Sequence, residues 1–203
     1  MPPRFSIAQD RKLIQIVDRA LEEVTRKSGA HLVCRLGCTP CCIGVFAINQ
    51  LDADRLRRGL QELEKKDPER AAAIRQRSED SVRRLTPDFP GDPVTGVLHE
   101  TAMAKELFED FANDEACPVL DPDTGTCDLY KSRPMTCRVF GPPVRSPGGL
   151  GVCELCYHGA TDEEIAACEL IPDPDGVEDA LLAALEKKTG RSGDTIIAFC
   201  LAE

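Results

Sequence analysis

The chain has 203 residues, with seven Phe, two Tyr and no Trp, and a formal net charge of -10. This length suffices for one ordinary domain with a modest apolar core, whereas the acidic balance, without a sustained run of Lys and Arg, argues against nonspecific binding to nucleic acid. The amino-terminal stretch is charged and amphipathic, so we expect neither a signal peptide nor a membrane span, and we expect a cytoplasmic protein.

Helical patterns open the chain. Ser6 and Gln9 fit a capping box, and apolar residues then recur at helical spacing until the next glycine, which predicts a helix over residues 6–28. A second helix is predicted to begin at Asn49 or Asp52, because either side chain suits a helix start and leucines follow on one face.

The next stretch alternates helix and loop. An Asp-Pro pair suits a helix start, so a third helix is predicted over about residues 68–85. Residues 86–96 are rich in Pro and Gly and are predicted to form a loop or hinge. Helix is expected again near residues 97–113, where Met103 and Leu107 are among the apolar residues expected to share a buried face.

Residues 117–151 contain six Pro and five Gly, which are too many for long helices or central strands. The sequence Asp-Thr-Gly at residues 123–125 suggests a tight turn, so the chain between Cys117 and Cys127 is predicted to form a small knuckle or hairpin. Beyond this segment, Thr161 and Glu164 fit a capping box for a helix that ends near residue 170, and a last helix is predicted over about residues 180–188.

These elements predict a mainly α fold, in which helices pack around an irregular cysteine-rich metal-binding core with little β structure. We expect a single domain over residues 1–203. Its cysteine-rich region covers about residues 30–160 and contains a helical insertion over about residues 49–113.

Eleven cysteines are the strongest chemical signal in the sequence. In a reducing cytosol they are not expected to be structural disulfides, and an odd number could not all pair within one chain. Nine of them fall into two segments, over residues 34–42 and residues 117–156, and this clustering favours metal ligation. Cys168 and Cys200 each stand alone on a helical pattern, which is typical of small buried core residues.

Ligands made of sulfur alone favour zinc or an iron–sulfur cluster, because soft thiolates suit both whereas calcium and magnesium need oxygen. The local charge agrees with this prediction. A metal dication held by four thiolates has excess negative charge, so nearby acidic groups would be unfavourable. Residues 117–159 carry four acidic and four basic side chains (4 - 4 = 0), although the chain as a whole is acidic. Arg35, Arg133 and Arg138 lie beside cysteines in the sequence and are candidates to donate hydrogen bonds to sulfur or to hold the loops.

The order Cys-x3-Cys-x2-Cys-Cys, Cys-Pro-x-Leu, Cys-x-Leu-Tyr and Tyr-x2-Arg-Pro-x2-Cys-Arg-x-Phe resembles the YkgJ-type family of zinc- or iron-chelating cysteine-cluster proteins over about residues 30–160. Val119 is a mild departure, because relatives often have Phe there. The resemblance implies a metal-ligand set of Cys34, Cys38, Cys41, Cys42, Cys117, Cys127 and Cys137, with Cys153 as the eighth member.

The resemblance implies zinc or iron chelation without an agreed biochemical role. One branch of the family is similar to flagellin lysine N-methylases, which are longer chains, and this sequence lacks room for much of their extra part. Cys156 is less expected from the family pattern, so a spare thiol, a substitute ligand and a core residue are all open interpretations.

Two enzyme classes fit the sequence less well. The first three cysteines match the iron–sulfur motif of radical S-adenosylmethionine enzymes, but those enzymes place it on a repeated strand–helix barrel that is not predicted here. A hydrolytic zinc enzyme needs an open coordination position and a general base, whereas eight or nine thiolates can close four-coordinate sites. His158 is near the second cysteine segment, and it is more typical of a surface histidine, or of one that supports the ligands, than of a ligand or base.

Two functional hypotheses therefore remain. The first is a metal-stabilised binding or accessory protein whose thiolate sites hold the loops against the helices, and a protein partner is compatible with it. The second is an iron–sulfur protein that acts in electron transfer, or as part of an oxidoreductase or methyl-transfer system. Catalytic residues cannot be assigned for either hypothesis.

Overall fold

The structure is a computed structural model that describes residues 5–35, 37–146 and 149–202. The α-helices are α1 (Ile7–Ser28), α2 (Gln50–Glu64), α3 (Pro68–Leu85), α4 (Ala102–Glu109), α5 (Met135–Val139), α6 (Asp162–Ala167), α7 (Val177–Thr189) and α8 (Ile197–Leu201). The strands are β1 (Gly91–Asp92), β2 (Val97–Leu98), β3 (Val144–Ser146) and β4 (Gly149–Gly151). The predictions for residues 1–4, at the amino terminus, lie outside the described residues.

The fold is mainly α, as the sequence predicts. The strands of the described residues form two antiparallel hairpins, β1 with β2 and β3 with β4. In the first hairpin Gly91 pairs with Leu98, and in the second Ser146 pairs with Gly149. Neither hairpin is long enough to form a sheet with a core of its own.

The chain divides into two compact units. The first unit comprises Met1–Leu36 and Met135–Thr189, and the second comprises Gly37–Pro134 and Gly190–Glu203. Each unit is therefore assembled from two separate stretches of sequence. The single domain over residues 1–203 stays a prediction.

Helices α2, α3 and α8 form the core of the second unit, and strong local signals set where two of them begin. The Asn49 side chain accepts a hydrogen bond from the Asp52 backbone N–H at 2.9 Å, which caps α2. The Asp67 side chain caps α3 through the Arg70 N–H at 3.0 Å, and Pro68 occupies the first helical position. Both predicted helix starts are confirmed.

The apolar faces of these helices meet in one buried cluster that also reaches the cysteine-rich segment. Its members from the helices include Leu56, Leu60, Ala71, Ile74 and Leu201, and Val119 and Leu129 join them from the loop region. The leucine, isoleucine and valine side chains among them contribute about 1.5–3 kcal/mol each when fully buried. Because Cys117 and Cys127 pack against the same cluster, the helical core directly supports the two cysteines.

The first unit is built on α1, which contacts α5 and α7. Leu13 and Val17 are almost completely buried along its inner face. At its carboxyl end Val24 packs in a second apolar cluster with Tyr157 and Leu170. The prediction of a helix over residues 6–28 is confirmed, but the predicted capping box is wrong, because the Ser6 side chain makes no capping hydrogen bond.

The helix predicted near residues 97–113 is shorter than expected. Residues 97–98 form strand β2 instead, and the Leu98 N–H donates to the Asp194 carbonyl at 2.8 Å. The Thr101 side chain then caps α4 through the Ala104 N–H at 3.2 Å. Met103 and Leu107 are exposed at 72% and 60%, so the prediction that they share a buried face is also wrong.

The carboxyl-terminal helices follow the predicted order. Thr161 and Glu164 form a complete capping box at the start of α6, although this helix ends at Ala167 rather than near residue 170. Helix α7 extends the predicted segment at both ends. In the part of the chain that the structure describes, no helix combines the length and the apolar character needed to cross a bilayer.

Candidate metal centre

The two units divide the nine clustered cysteines between them, which are the eight predicted metal ligands and Cys156. Cys38, Cys41, Cys42, Cys117 and Cys127 belong to the second unit, and Cys34, Cys137, Cys153 and Cys156 belong to the first. All eleven cysteines lie among the described residues, and none of them forms a disulfide.

The chain from Cys117 to Cys127 forms the predicted knuckle. Leu120 and Cys127 form an antiparallel bridge, and the Asp121 N–H donates to the Thr126 carbonyl at 2.9 Å. The Gly125 N–H donates back to the Asp121 carbonyl at 2.9 Å, which closes the turn. Gly125 has a φ of 65°, a left-handed conformation that suits glycine, so the Asp-Thr-Gly signal is confirmed.

Backbone hydrogen bonds hold the first cysteine segment beside this knuckle. Cys41 and Cys42 lie in a short 3-10 helix, Pro40–Cys42, directly before Ile43. The Cys117 N–H donates to the Cys42 carbonyl at 2.8 Å, and Ile43 forms an antiparallel bridge with Ala116. Two segments separated by more than seventy residues are thereby fixed side by side.

Four cysteines of the second unit form a series that is connected by one hydrogen bond and, beyond it, by electrostatic interactions. Cys41 and Cys42 share a side-chain hydrogen bond, which together with burial raises the pKa of Cys41 well above its usual value. Cys127 lies close enough to Cys41 for their charges to interact, and Cys117 is likewise coupled to Cys127. Burial is the main cause that raises the pKa of Cys117 to about 12, and it also raises the pKa of Cys127.

Arg77 on α3 links the two ends of the knuckle. Its Nε donates to the carbonyl of Pro118, the residue after Cys117, at 2.8 Å. Its second terminal nitrogen, Nη2, donates to the carboxylate of Asp128, the residue after Cys127, at 2.8 Å. The positive charge of Arg77 opposes the effect of burial by lowering the pKa of Cys117.

Asp128 is the buried partner of this arginine. Its side chain is only 1% exposed, and it also accepts from Arg70 at 2.5 Å. Two guanidinium groups therefore compensate one buried carboxylate directly beside the cysteines. Arg70 and Arg77 are not predicted from the sequence, because they lie on a distant helix where their spacing fits an ordinary exposed face.

The three arginines that the sequence places beside cysteines have different environments. Arg133 covers the Tyr130 ring, with its Cζ 3.9 Å from the ring centroid, and donates to the Tyr130 carbonyl at 3.0 Å. Its charge lowers the pKa of Cys127, against the larger effect of burial. Arg138 is buried and pairs with Asp18 at 2.6 Å within the first unit, whereas Arg35 is exposed.

In the first unit, Gly141 lies near two of the predicted ligands. Its backbone adopts a φ of 121°, and a Cβ added there would lie 3.5 Å from the Cys34 sulfur. The Cys153 N–H donates to the Gly141 carbonyl at 3.4 Å, so Cys34 and Cys153 approach the same residue from different segments. Cys137 lies close by in sequence, on α5.

Three further cysteines, Cys156, Cys168 and Cys200, pack as core residues, whereas Cys38 is half-buried. Cys156 and Cys168 belong to the apolar cluster around Tyr157 and are 5% and 7% exposed. Cys200 is 1% exposed and lies in the core of the second unit, with its sulfur 3.4 Å from the Ala53 carbonyl oxygen. The predicted core role is confirmed for Cys168 and Cys200, and Cys156 also fits it. His158 is exposed.

Across residues 5–35, 37–146 and 149–202, no three Cys, His, Asp or Glu side chains form a group that could hold a metal ion as arranged. The chemistry of the donors in the second unit nevertheless fits zinc or iron. Four free thiols are coupled in series on a backbone fixed by hydrogen bonds, and such soft sulfur ligands suit both metals.

Comparison with known proteins places the chain in a family. No curated protein and no solved structure matches it. A family model described as a "Putative zinc- or iron-chelating domain" matches residues 33–156, which is more than half of the chain and includes all nine clustered cysteines. The chain therefore belongs to the CxxCxxCC family.

Proposed function

We propose that the second unit binds one zinc or iron ion through the thiolates of Cys41, Cys42, Cys117 and Cys127, and that the ion ties the two cysteine segments together. The observation that carries this proposal is the connected series of these four thiols, on segments joined by the hydrogen bond from Cys117 to Cys42. The match to a family of zinc- or iron-chelating domains supports it.

Each group in this unit has a distinct role in the proposal. The cysteines supply soft ligands, and the 3-10 helix and the knuckle position them. Arg77 and Arg133 offset the negative charge that four thiolates place around a divalent ion. Bound zinc would supply folding free energy, whereas bound iron would supply one-electron transfer.

The other predicted ligands lie outside the four-cysteine site. Cys34, Cys137 and Cys153 of the first unit, with Cys38 of the second, make up the rest of the eight-cysteine set that the sequence motifs predict. The approach of Cys34 and Cys153 to Gly141 supports a shared role for these two residues. We propose Cys34, Cys137 and Cys153 as ligands of further metal in the first unit, and Cys38 stays a predicted ligand of the second unit.

Metal analysis tests the proposal directly. Anaerobically purified protein should contain at least about one zinc or iron per chain, as expected for a closed thiolate site. Cys41→Ser and Cys117→Ser should each lose about one metal equivalent, because a hydroxyl is a poor ligand for a soft site. Cys200→Ala is the matched control and should keep the full metal content, since Cys200 is a core residue of the same unit.

Two results would reject the four-cysteine site. One is purified protein without zinc or iron that also binds neither metal on reconstitution. The other is full metal content in both serine variants. Visible absorbance then separates the metals, because iron bound to thiolates is coloured and zinc bound to thiolates is not. Acid-labile sulfide would indicate an iron–sulfur cluster in place of a single iron ion.

A further inference from the structure

A second candidate site lies in a cavity of the second unit, lined by α2, the β1–β2 hairpin and residues 190–195. The cavity has a volume of about 650 Å³. We propose that it binds a small organic molecule that carries carboxylate or phosphate groups. This inference does not depend on metal binding.

The charge of the cavity lining points to an anionic ligand. Arg57, Arg191 and His99 line the cavity, and Asp92 is its one acidic residue among those described. With His neutral, the lining therefore carries a net charge of +1 (2 - 1 = +1), although the whole chain has a formal charge of -10. Arginine is the side chain best suited to bind a carboxylate or phosphate, because its planar fork can donate two parallel hydrogen bonds.

Asp92 is already engaged within its own turn. Its two carboxylate oxygens accept hydrogen bonds from the Val94 N–H and the Thr95 hydroxyl, each at 2.9 Å. These bonds hold the pKa of Asp92 below its usual value. The carboxylate thus shapes the hairpin, and its negative charge is partly satisfied by local donors.

The walls of the cavity are held by buried polar contacts. The Gln50 side-chain amide donates to the Gly193 carbonyl at 2.8 Å, and the Thr195 hydroxyl donates to the Gly96 carbonyl at 2.6 Å. Gln50 and Thr195 are 5% and 3% exposed, respectively. The hairpin and residues 190–195 are thereby fixed to α2, so the cavity is a built feature of the unit and not a gap between loose loops.

The size of the cavity argues for an organic molecule rather than a single inorganic ion. Its volume falls within the range of about 300–1,000 Å³ that is typical of small-molecule sites. Thr95, Ser192 and the apolar side chain of Val97 also line it, and they provide hydroxyl and apolar contacts for the rest of a ligand.

Titration by NMR tests the site with defined probes. Citrate tests the carboxylate form and glycerol 3-phosphate tests the phosphate form, with glycerol as the neutral comparison. The inference predicts saturable shifts of the Thr95 and Gly193 amides with at least one anionic probe and none with glycerol. Arg57→Gln and Arg191→Gln should each weaken that binding by about tenfold or more, as expected for loss of a charged hydrogen bond.

Arg83→Gln is the matched control, because Arg83 is an exposed arginine on α3 that pairs with Asp80 outside the cavity. It should leave the affinity unchanged. The inference is overturned if neither anion binds below about 10 mM, or if Arg83→Gln weakens binding as much as the cavity variants. Arg191 is exposed, so Arg191→Gln decides the result if Arg57→Gln fails to fold.

Discussion

Arg77 connects a helix of the core to both ends of the cysteine knuckle. Its bonds to the Pro118 carbonyl and the Asp128 carboxylate each involve the residue that directly follows a proposed ligand. A side chain that restrains both positions limits the motion of Cys117 and Cys127 without having to touch the metal. We therefore interpret Arg77 as a positioning residue for the proposed site.

Replacing Arg77 is predicted to weaken metal binding more than it weakens the fold. Arg77→Gln should reduce zinc affinity by about tenfold to a hundredfold, the range typical of lost supporting contacts around a metal site. Arg77→Lys should recover only part of this loss, because one ammonium group cannot reproduce the planar fork. Competition with a chromophoric chelator measures the affinities, and circular dichroism confirms the helix content.

Arg75→Gln provides the comparison on the same helix. Arg75 forms an ion pair with Glu64 at 2.8 Å, at the surface of the second unit. Surface ion pairs of this kind contribute little to stability, so the Arg75→Gln variant should bind zinc with the affinity of the unchanged protein. Equal affinity for Arg77→Gln and Arg75→Gln would refute the positioning role.

At the scale of elements, short segments of this protein depend on local polar contacts. The knuckle turn is an example, because the Asp121 carboxylate accepts from the Thr124 hydroxyl at 2.7 Å and from the Asp123 N–H at 3.0 Å. These two bonds hold the pKa of Asp121 below the ordinary value of 3.8, and the bond from Thr124 has the larger effect. They stabilise the charged carboxylate in the folded turn.

The pH dependence of the turn follows from this lowered pKa. The stabilising contribution of Asp121 should be complete above the ordinary value of 3.8 and should be lost as the pH falls through the lower pKa of the folded protein. The carboxyl carbon of Asp121, followed by NMR, should therefore titrate below 3.8. Thr124→Ala should move this midpoint upwards, because it removes the main cause of the shift.

Thr86→Ala serves as the control for this titration. The Thr86 hydroxyl donates to the Val82 carbonyl at 2.7 Å and has no role in the knuckle. Its removal should leave the Asp121 midpoint unchanged. A midpoint at or above 3.8 in the unchanged protein would contradict the proposed effect of the turn.

At the scale of the whole molecule, metal binding is predicted to stabilise the cysteine segments more than the helices. The second unit has an apolar core of its own around α2, α3 and α8, so its helices do not depend on the metal alone. The segments over residues 40–43 and 116–128 contain little regular structure and would gain most from a cross-link between them.

Removing the metal should therefore lower the unfolding temperature and speed amide exchange in those two segments. Structural zinc supplies about 10–16 kcal/mol in small zinc-finger peptides, and we expect a smaller loss here because a helical core remains. Hydrogen exchange with and without a chelator measures the effect, with α3 as the internal reference. Equal protection of the cysteine segments in both conditions would contradict the prediction.

Local signals were enough to predict much of this fold. Asn49 and the Asp67-Pro68 pair predicted the starts of α2 and α3, and the Asp-Thr-Gly turn predicted the knuckle. These signals act between residues that are close in sequence, so the surrounding structure does not have to be known. Ser6 failed as a capping residue because a matching residue type does not ensure that the side chain forms its hydrogen bond.

The sequence by itself determined the mainly α class, the family and the cysteines that are candidates for metal binding, because periodicity, capping residues and cysteine spacing are properties of the linear chain. Only the tertiary structure decided that Arg77 lies beside Cys117 and Cys127, that Met103 is exposed, and that two arginines line one cavity. Each of these depends on contacts between residues that are far apart in sequence, and no local pattern encodes such contacts.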